Sequence, residues 1–71
     1  QERDEIITAL LKLPLKYREV LLLYYYDDLS VAEIASFIHI PASTVTTRLQ
    51  RARAKLKEFL PTHDWEVLRD V

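Results

Sequence analysis

Apolar residues recur along this chain every three or four positions, and no stretch sustains strict alternation of apolar and polar side chains. That texture predicts helices and no strands. A first helix is expected over roughly residues 2–12, with Ile6, Leu10 and Leu13 on one face and acids in its first turn, where they complement the positive end of the helix dipole. Pro14 marks the next boundary and suits the start of a second helix, since its missing N–H would be unpaired there anyway. The second helix is expected from about Leu15 to Tyr26. Its run Val20–Tyr26 is apolar at seven consecutive positions, too continuous for a single stripe. More than one side must therefore be covered, by the rest of the domain or by a partner. Asp27 and Asp28 end it and begin a turn.

Ser30-Val31-Ala32-Glu33 has the form of a capping box and should open a short third helix with Val31, Ile34, Ala35 and Ile38 inward. His39-Ile40-Pro41 breaks that helix after about two turns. A fourth helix is expected from near Ala42 to about Phe59, with Pro61 stopping it. A two-turn helix, a three-residue break and a longer helix make the outline of a helix-turn-helix. The turn has no glycine; His39 stands at the position that needs left-handed backbone, a region in which histidine is enriched. The expected fold is all-α: four helices over residues 1–60 with a C-terminal helix-turn-helix and no wing, followed by a tail over 61–71. In that tail Trp65 and Leu68 at helical spacing suggest a short extra helix folding back on the core.

Charge changes the picture of the fourth helix. The net charge is −1, but residues 42–58 carry Arg48, Arg51, Arg53, Lys55 and Lys57 against Glu58 alone. Residues 1–41 carry four basic and seven acidic side chains, and residues 59–71 carry Arg69 against Asp64, Glu66 and Asp70. A local basic segment, not the net charge, is what a polyanion senses. With so few acids beside them these cations are poorly served by intrahelical salt bridges, which distinguishes the helix from an ordinary solvated surface helix.

At about 100° per residue, Val45, Leu49, Ala52 and Leu56 fall in one narrow arc that should face the core. Ser43, Thr47, Gln50 and Ala54 then lie close to the opposite side, flanked by Thr46 and Arg51, while Arg48, Arg53 and Lys55 sit nearer the margins. Hydroxyls, an amide and a guanidinium are groups that read base edges: Gln suits adenine, Arg suits guanine, and threonine methyls suit thymine. Marginal and C-terminal cations, Lys57 among them, suit phosphates, which fix register without reading sequence.

The remaining composition narrows the function by exclusion. Glycine and cysteine are both absent, which removes glycine-rich phosphate loops, dinucleotide fingerprints, disulfides and cysteine–zinc sites. No apolar run approaches the roughly 20 residues that span a bilayer, and the opening Gln-Glu-Arg-Asp-Glu is the wrong chemistry for a secretory leader. His39 and His63 are distant from each other and poorly supported by carboxylates, so no metal site is expected. Ser30 and Ser43 have no paired base. The chain reads as a cytoplasmic, non-enzymatic domain without a cofactor, and its lack of an initial methionine suggests a piece of a longer protein.

Three stretches then carry a family resemblance. Leu13-Pro14-Leu15-Lys16-Tyr17-Arg18-Glu19-Val20, Leu29-Ser30-Val31-Ala32-Glu33-Ile34-Ala35 and Thr44-Val45-Thr46-Thr47-Arg48-Leu49-Gln50-Arg51-Ala52-Arg53 together resemble region 4 of bacterial sigma factors, the extracytoplasmic-function subgroup in particular, over about residues 9–58. LuxR-type response-regulator domains share the Glu-Ile-Ala and Thr-Val elements, but typically carry histidine where Arg48 stands and lack the Arg-Ala-Arg step. The resemblance implies recognition of the −35 promoter element and docking on the flap-tip helix of the RNA polymerase β subunit. By motif position, Thr46, Thr47, Gln50 and Arg51 would read the major groove, with Ser43 and Thr44 beside them and Arg48 and Arg53 near the backbone. The start of the third helix, at Ser30 and Val31, is expected to offer backbone N–H groups to a phosphate. Surplus apolar surface on Leu22, Leu23, Tyr25 and Tyr26 would receive the flap tip or an inhibitory anti-sigma protein; the alternative is that the domain itself covers all of it. A protein-interaction module without DNA readout is the rival from another class.

Overall fold

A computed structural model of the chain describes residues 2–60. Its order is α1 (Glu2–Leu11), α2 (Leu15–Leu21), a π-helical turn (Leu22–Tyr26), α3 (Val31–Ile38) and α4 (Ala42–Lys57). The described residues are helical and turn structure, without strands. The expected extra helix around Trp65 and Leu68, and the acids Asp64, Glu66 and Asp70, lie outside them.

Each helix contributes to one core. α1 buries Ala9 and, just past its end, Leu13, while Ile6 and Leu10 pack against the core only partly. Ala9 lies at helical spacing from Ile6 and Leu13, so the inward face of α1 is the expected one, most deeply buried at Ala9 and Leu13. α2 buries Tyr17, Val20 and Leu21. Ile34 is the fully buried residue of α3, with Val31, Ala35 and Ile38 half-buried around it. The four inward residues of α4 are Val45, Leu49, Ala52 and Leu56, as periodicity requires. Leu60 closes the core after α4, where Glu58, Phe59 and Leu60 donate backbone bonds to Lys55, Leu56 and Lys57, three residues back. That tightening ends the regular helix at Lys57, two residues before the expected end.

The second helix departs from expectation at its C-terminal half. Residues 22–26 widen into a π turn, closed by Asp27 N–H to Leu22 O at 3.1 Å. One extra residue in a turn moves the frame of the inward face by one position. Leu23, Tyr24 and Tyr25, three consecutive residues that no α-helical stripe would hold, all pack partly against the core. The rings of Tyr24 and Tyr25 meet edge to face, 5.1 Å between centroids, a geometry favoured by the ring quadrupole. Asp28, at φ 60°, then turns the chain in left-handed backbone, which aspartate tolerates better than most residues.

Caps fix the helix-turn-helix. Ser30 Oγ accepts from Glu33 N–H at 3.1 Å, and Glu33 Oε1 accepts from Ser30 N–H at 2.8 Å, completing the capping box. His39 stands at φ 63°, ψ 46°, as expected of the glycine-free turn. Its N–H and that of Ile40 both donate to Ala35 O, which satisfies a carbonyl the helix end would leave open. Ser30→Ala removes one of the two capping bonds and is expected to lower stability by about 0.5–2 kcal/mol. Urea denaturation followed by circular dichroism checks this; an unchanged midpoint would show that the cap contributes nothing.

Candidate nucleic-acid interface

The inward stripe of α4 fixes what the helix presents outward. Ser43, Thr46, Thr47, Gln50 and Arg51 are exposed, Thr44, Arg48 and Arg53 are half-buried at the margins, and Ala54 and Lys55 are exposed towards the C-terminus. Four of the exposed groups, Thr46, Thr47, Gln50 and Arg51, occupy consecutive turns of one helix face, so a duplex could meet them together. Lys55 and Lys57 fall in the last turn of α4, where positive charge complements the helix dipole.

Beside this face lies an open groove of about 240 Å3, lined by Lys16, Tyr17, Ser43, Thr44, Thr47, Arg48 and Arg51. It runs between the first turn of α2 and the first half of α4. Three of its lining residues are cationic and none is acidic, so it offers an anion both charge and hydroxyl donors. Lys16 Nζ stands 5.2 Å from the centre of the Tyr17 ring, which orients the ammonium by cation–π attraction. Sequence reasoning missed Lys16 and Tyr17. They stand some thirty residues from the basic helix and meet it only through packing of α2 on α4. The available signal was Tyr17: an apolar ring at the core face of α2 commits its neighbour Lys16 to a flank of that helix.

The Ser30 side chain is exposed, but its N–H already donates to Glu33 Oε1 and its hydroxyl already accepts from Glu33 N–H. The Ser30 N–H and one lone pair of its hydroxyl are therefore engaged in the cap, with the Glu33 carboxylate beside them.

On the second helix, Leu22, Leu23 and Tyr25 are half-buried, and Leu23 and Tyr25 pack against the core. Tyr26 is 78% exposed and is the member of that set most available to a partner. Among the described residues no group of His, Asp or Glu is arranged to hold a metal ion, and no helix is long and apolar enough to cross a membrane.

With this geometry, comparison with known proteins is decisive at one point: residues 3–56 match the family model for sigma-70, region 4. The chain belongs to the sigma-70 region 4 family. Region 4 is a DNA-binding module of transcription, not an enzyme. Membership also separates the chain from the response-regulator domains that share its helix-turn-helix outline. The chain is 49% identical over 57 residues to the ECF RNA polymerase sigma factor SigW of Bacillus subtilis (strain 168), which covers 80% of this chain and 30% of that protein. It is 35% identical over 63 residues to the RNA polymerase sigma-E factor of Streptomyces antibioticus, covering 89% of this chain and 35% of that one. The chain thus spans about a third of the length of these curated relatives. No solved structure matches it significantly.

Proposed function

We propose that this region 4 domain inserts α4 into the major groove of promoter DNA at the −35 element, while its second helix docks on the flap of the RNA polymerase β subunit in the cytoplasm. One observation carries the reading: the outward half of α4 is free of the core and bears Ser43, Thr46, Thr47, Gln50 and Arg51 beside a groove that holds cations and no acid. Thr46, Thr47, Gln50 and Arg51 meet base edges, with Arg51 suited to guanine and Gln50 to adenine. Lys16 and Arg48, with the hydroxyls of Ser43 and Thr44, each hold a backbone phosphate at the groove, Arg53 takes a third at the helix margin and Lys57 a fourth at the end of α4. Ser30 caps α3 and so holds the turn in register. Leu22, Leu23, Tyr25 and above all Tyr26 form the apolar side offered to the polymerase, a surface an anti-sigma protein would cover in competition.

About four neutralised phosphates give a definite salt dependence. The logarithm of the association constant should fall against the logarithm of salt concentration with a slope near −3 to −4, at about −0.9 per phosphate. The measurement is a titration of the chain with a duplex selected for tightest binding from a random pool, repeated at several salt concentrations. A pool that yields no enriched motif removes the reading of sequence, and a slope near zero removes the DNA interface. Modest absolute affinity is expected, because in the assembled polymerase the second attachment raises the effective concentration of the domain at the promoter.

A further inference from the structure

Arg18 lies two residues beyond Lys16 on α2, about 200° around the helix, so the two cations leave it on opposite flanks. Lys16 faces the groove against α4. Arg18, part-buried, reaches back to α1: its Nε donates to Leu10 O at 3.2 Å and its Nη2 to Leu13 O at 3.1 Å. Leu10 O lies in the last turn of α1, where it also accepts from Leu13 N–H, and Leu13 O lies in the link to α2; a cation there opposes the negative end of the α1 dipole. The two bonds run from different nitrogens of one planar group to carbonyls three residues apart. Together they tie the last turn of α1 and the link at Leu13 to α2 across Pro14.

The first turn of α2 needs such a tether. Pro14 stands at its N-cap with no side-chain capping bond, and no acid lies in that turn. It is held by Tyr17 N–H and Arg18 N–H donating to Pro14 O, by the burial of Leu13 and Tyr17 on one side and by the Arg18 clamp on the other. This is the turn that presents Lys16 to the groove.

We propose that Arg18 is a positioning residue for DNA binding: by tying the end of α1 to α2 it sets where Lys16 meets the phosphate in the groove. The inference rests on the reading of the groove given above. Lysine in its place keeps the charge but not the fork, so Arg18→Lys separates geometry from electrostatics.

The test is a double-mutant cycle on the whole chain, with wild type, Lys16→Ala, Arg18→Lys and the double variant titrated against one selected duplex over a range of salt. All four are held well below their melting transitions, monitored by circular dichroism. Lys16→Ala is expected to flatten the salt slope by about 0.9, the loss of one phosphate contact. Arg18→Lys, although it leaves net charge unchanged, should flatten it by a similar amount, and the double variant should fall no further, since residues acting through one contact are not additive. If Arg18→Lys does not fold, Pro14→Gly loosens the same corner with Arg18 in place and should reproduce the flattening. A wild-type slope in the variant that folds, or additive losses in the cycle, overturns the positioning role and leaves the groove intact. A wild-type slope in Lys16→Ala overturns the reading of the groove, and the role of Arg18 with it.

Discussion

Ile34→Ala is expected to lower the stability of the domain by about 2–5 kcal/mol, the range for truncating a fully buried aliphatic side chain and leaving a cavity. Ile34 has no exposed surface and is the residue of α3 buried completely. The rest of that helix is held by Val31, Ala35 and Ile38, each only half-buried. An eight-residue helix is too short to persist by propensity alone and depends on the face it buries. The comparison that sharpens the prediction lies three residues along: Phe37 is larger but 66% exposed. Phe37→Ala should therefore cost within about 0.5 kcal/mol, as surface substitutions do. Total stability of roughly 0.05–0.15 kcal/mol per residue gives a chain of this size about 3.5–11 kcal/mol, so Ile34→Ala should remove a large fraction of it. Urea melts of the two variants decide it. Equal shifts for both, or a larger one for Phe37→Ala, would mean that α3 does not pack as described.

Loss of α3 would also remove the support of α4, because α3 and α4 are packed on each other and the turn between them is set by His39 and Ile40 bonding to Ala35 O. DNA binding by Ile34→Ala should fall with the folded fraction rather than through any contact of its own.

How much of this was legible in the residues follows from where each signal resides. The inward face of α4 was readable because sixteen residues give periodicity several turns in which to accumulate, and Val45, Leu49, Ala52 and Leu56 share one arc. The capping box at Ser30 and the left-handed His39 were equally local, each decided by chemistry within four residues. The π turn was not legible. Val20–Tyr26 is apolar throughout, so the run has no period from which a shifted frame could be read, and only packing against the core selects it. Lys16 was missed for a related reason, since its place in the groove depends on contact between α2 and α4. Ser30 was read twice over, as a capping residue and as a phosphate donor. Those are competing uses of the same N–H, and the structure gives that donor to Glu33.

The second large effect concerns recognition itself. Arg51→Ala should weaken binding to the selected duplex by about 1–3 kcal/mol, the worth of one good bidentate pair with guanine, and flatten the preference at a single base position. Arg51 is exposed and lines the edge of the groove, so truncation opens no cavity and the folded state should be unaffected. Two comparisons isolate the mechanism. Arg51→Lys keeps the positive charge but loses the planar fork that matches guanine N7 and O6; it should retain the salt slope and lose the base preference. Lys16→Ala, remote from the base edges, should weaken the selected and a scrambled duplex alike. A competition titration of the variants with both duplexes reads these differences directly. Equal losses on the two duplexes for Arg51→Ala would mark Arg51 as one more phosphate contact and leave base reading to Thr46, Thr47 and Gln50. If it loses nothing on either, α4 does not enter the groove in the register that its exposed face supports.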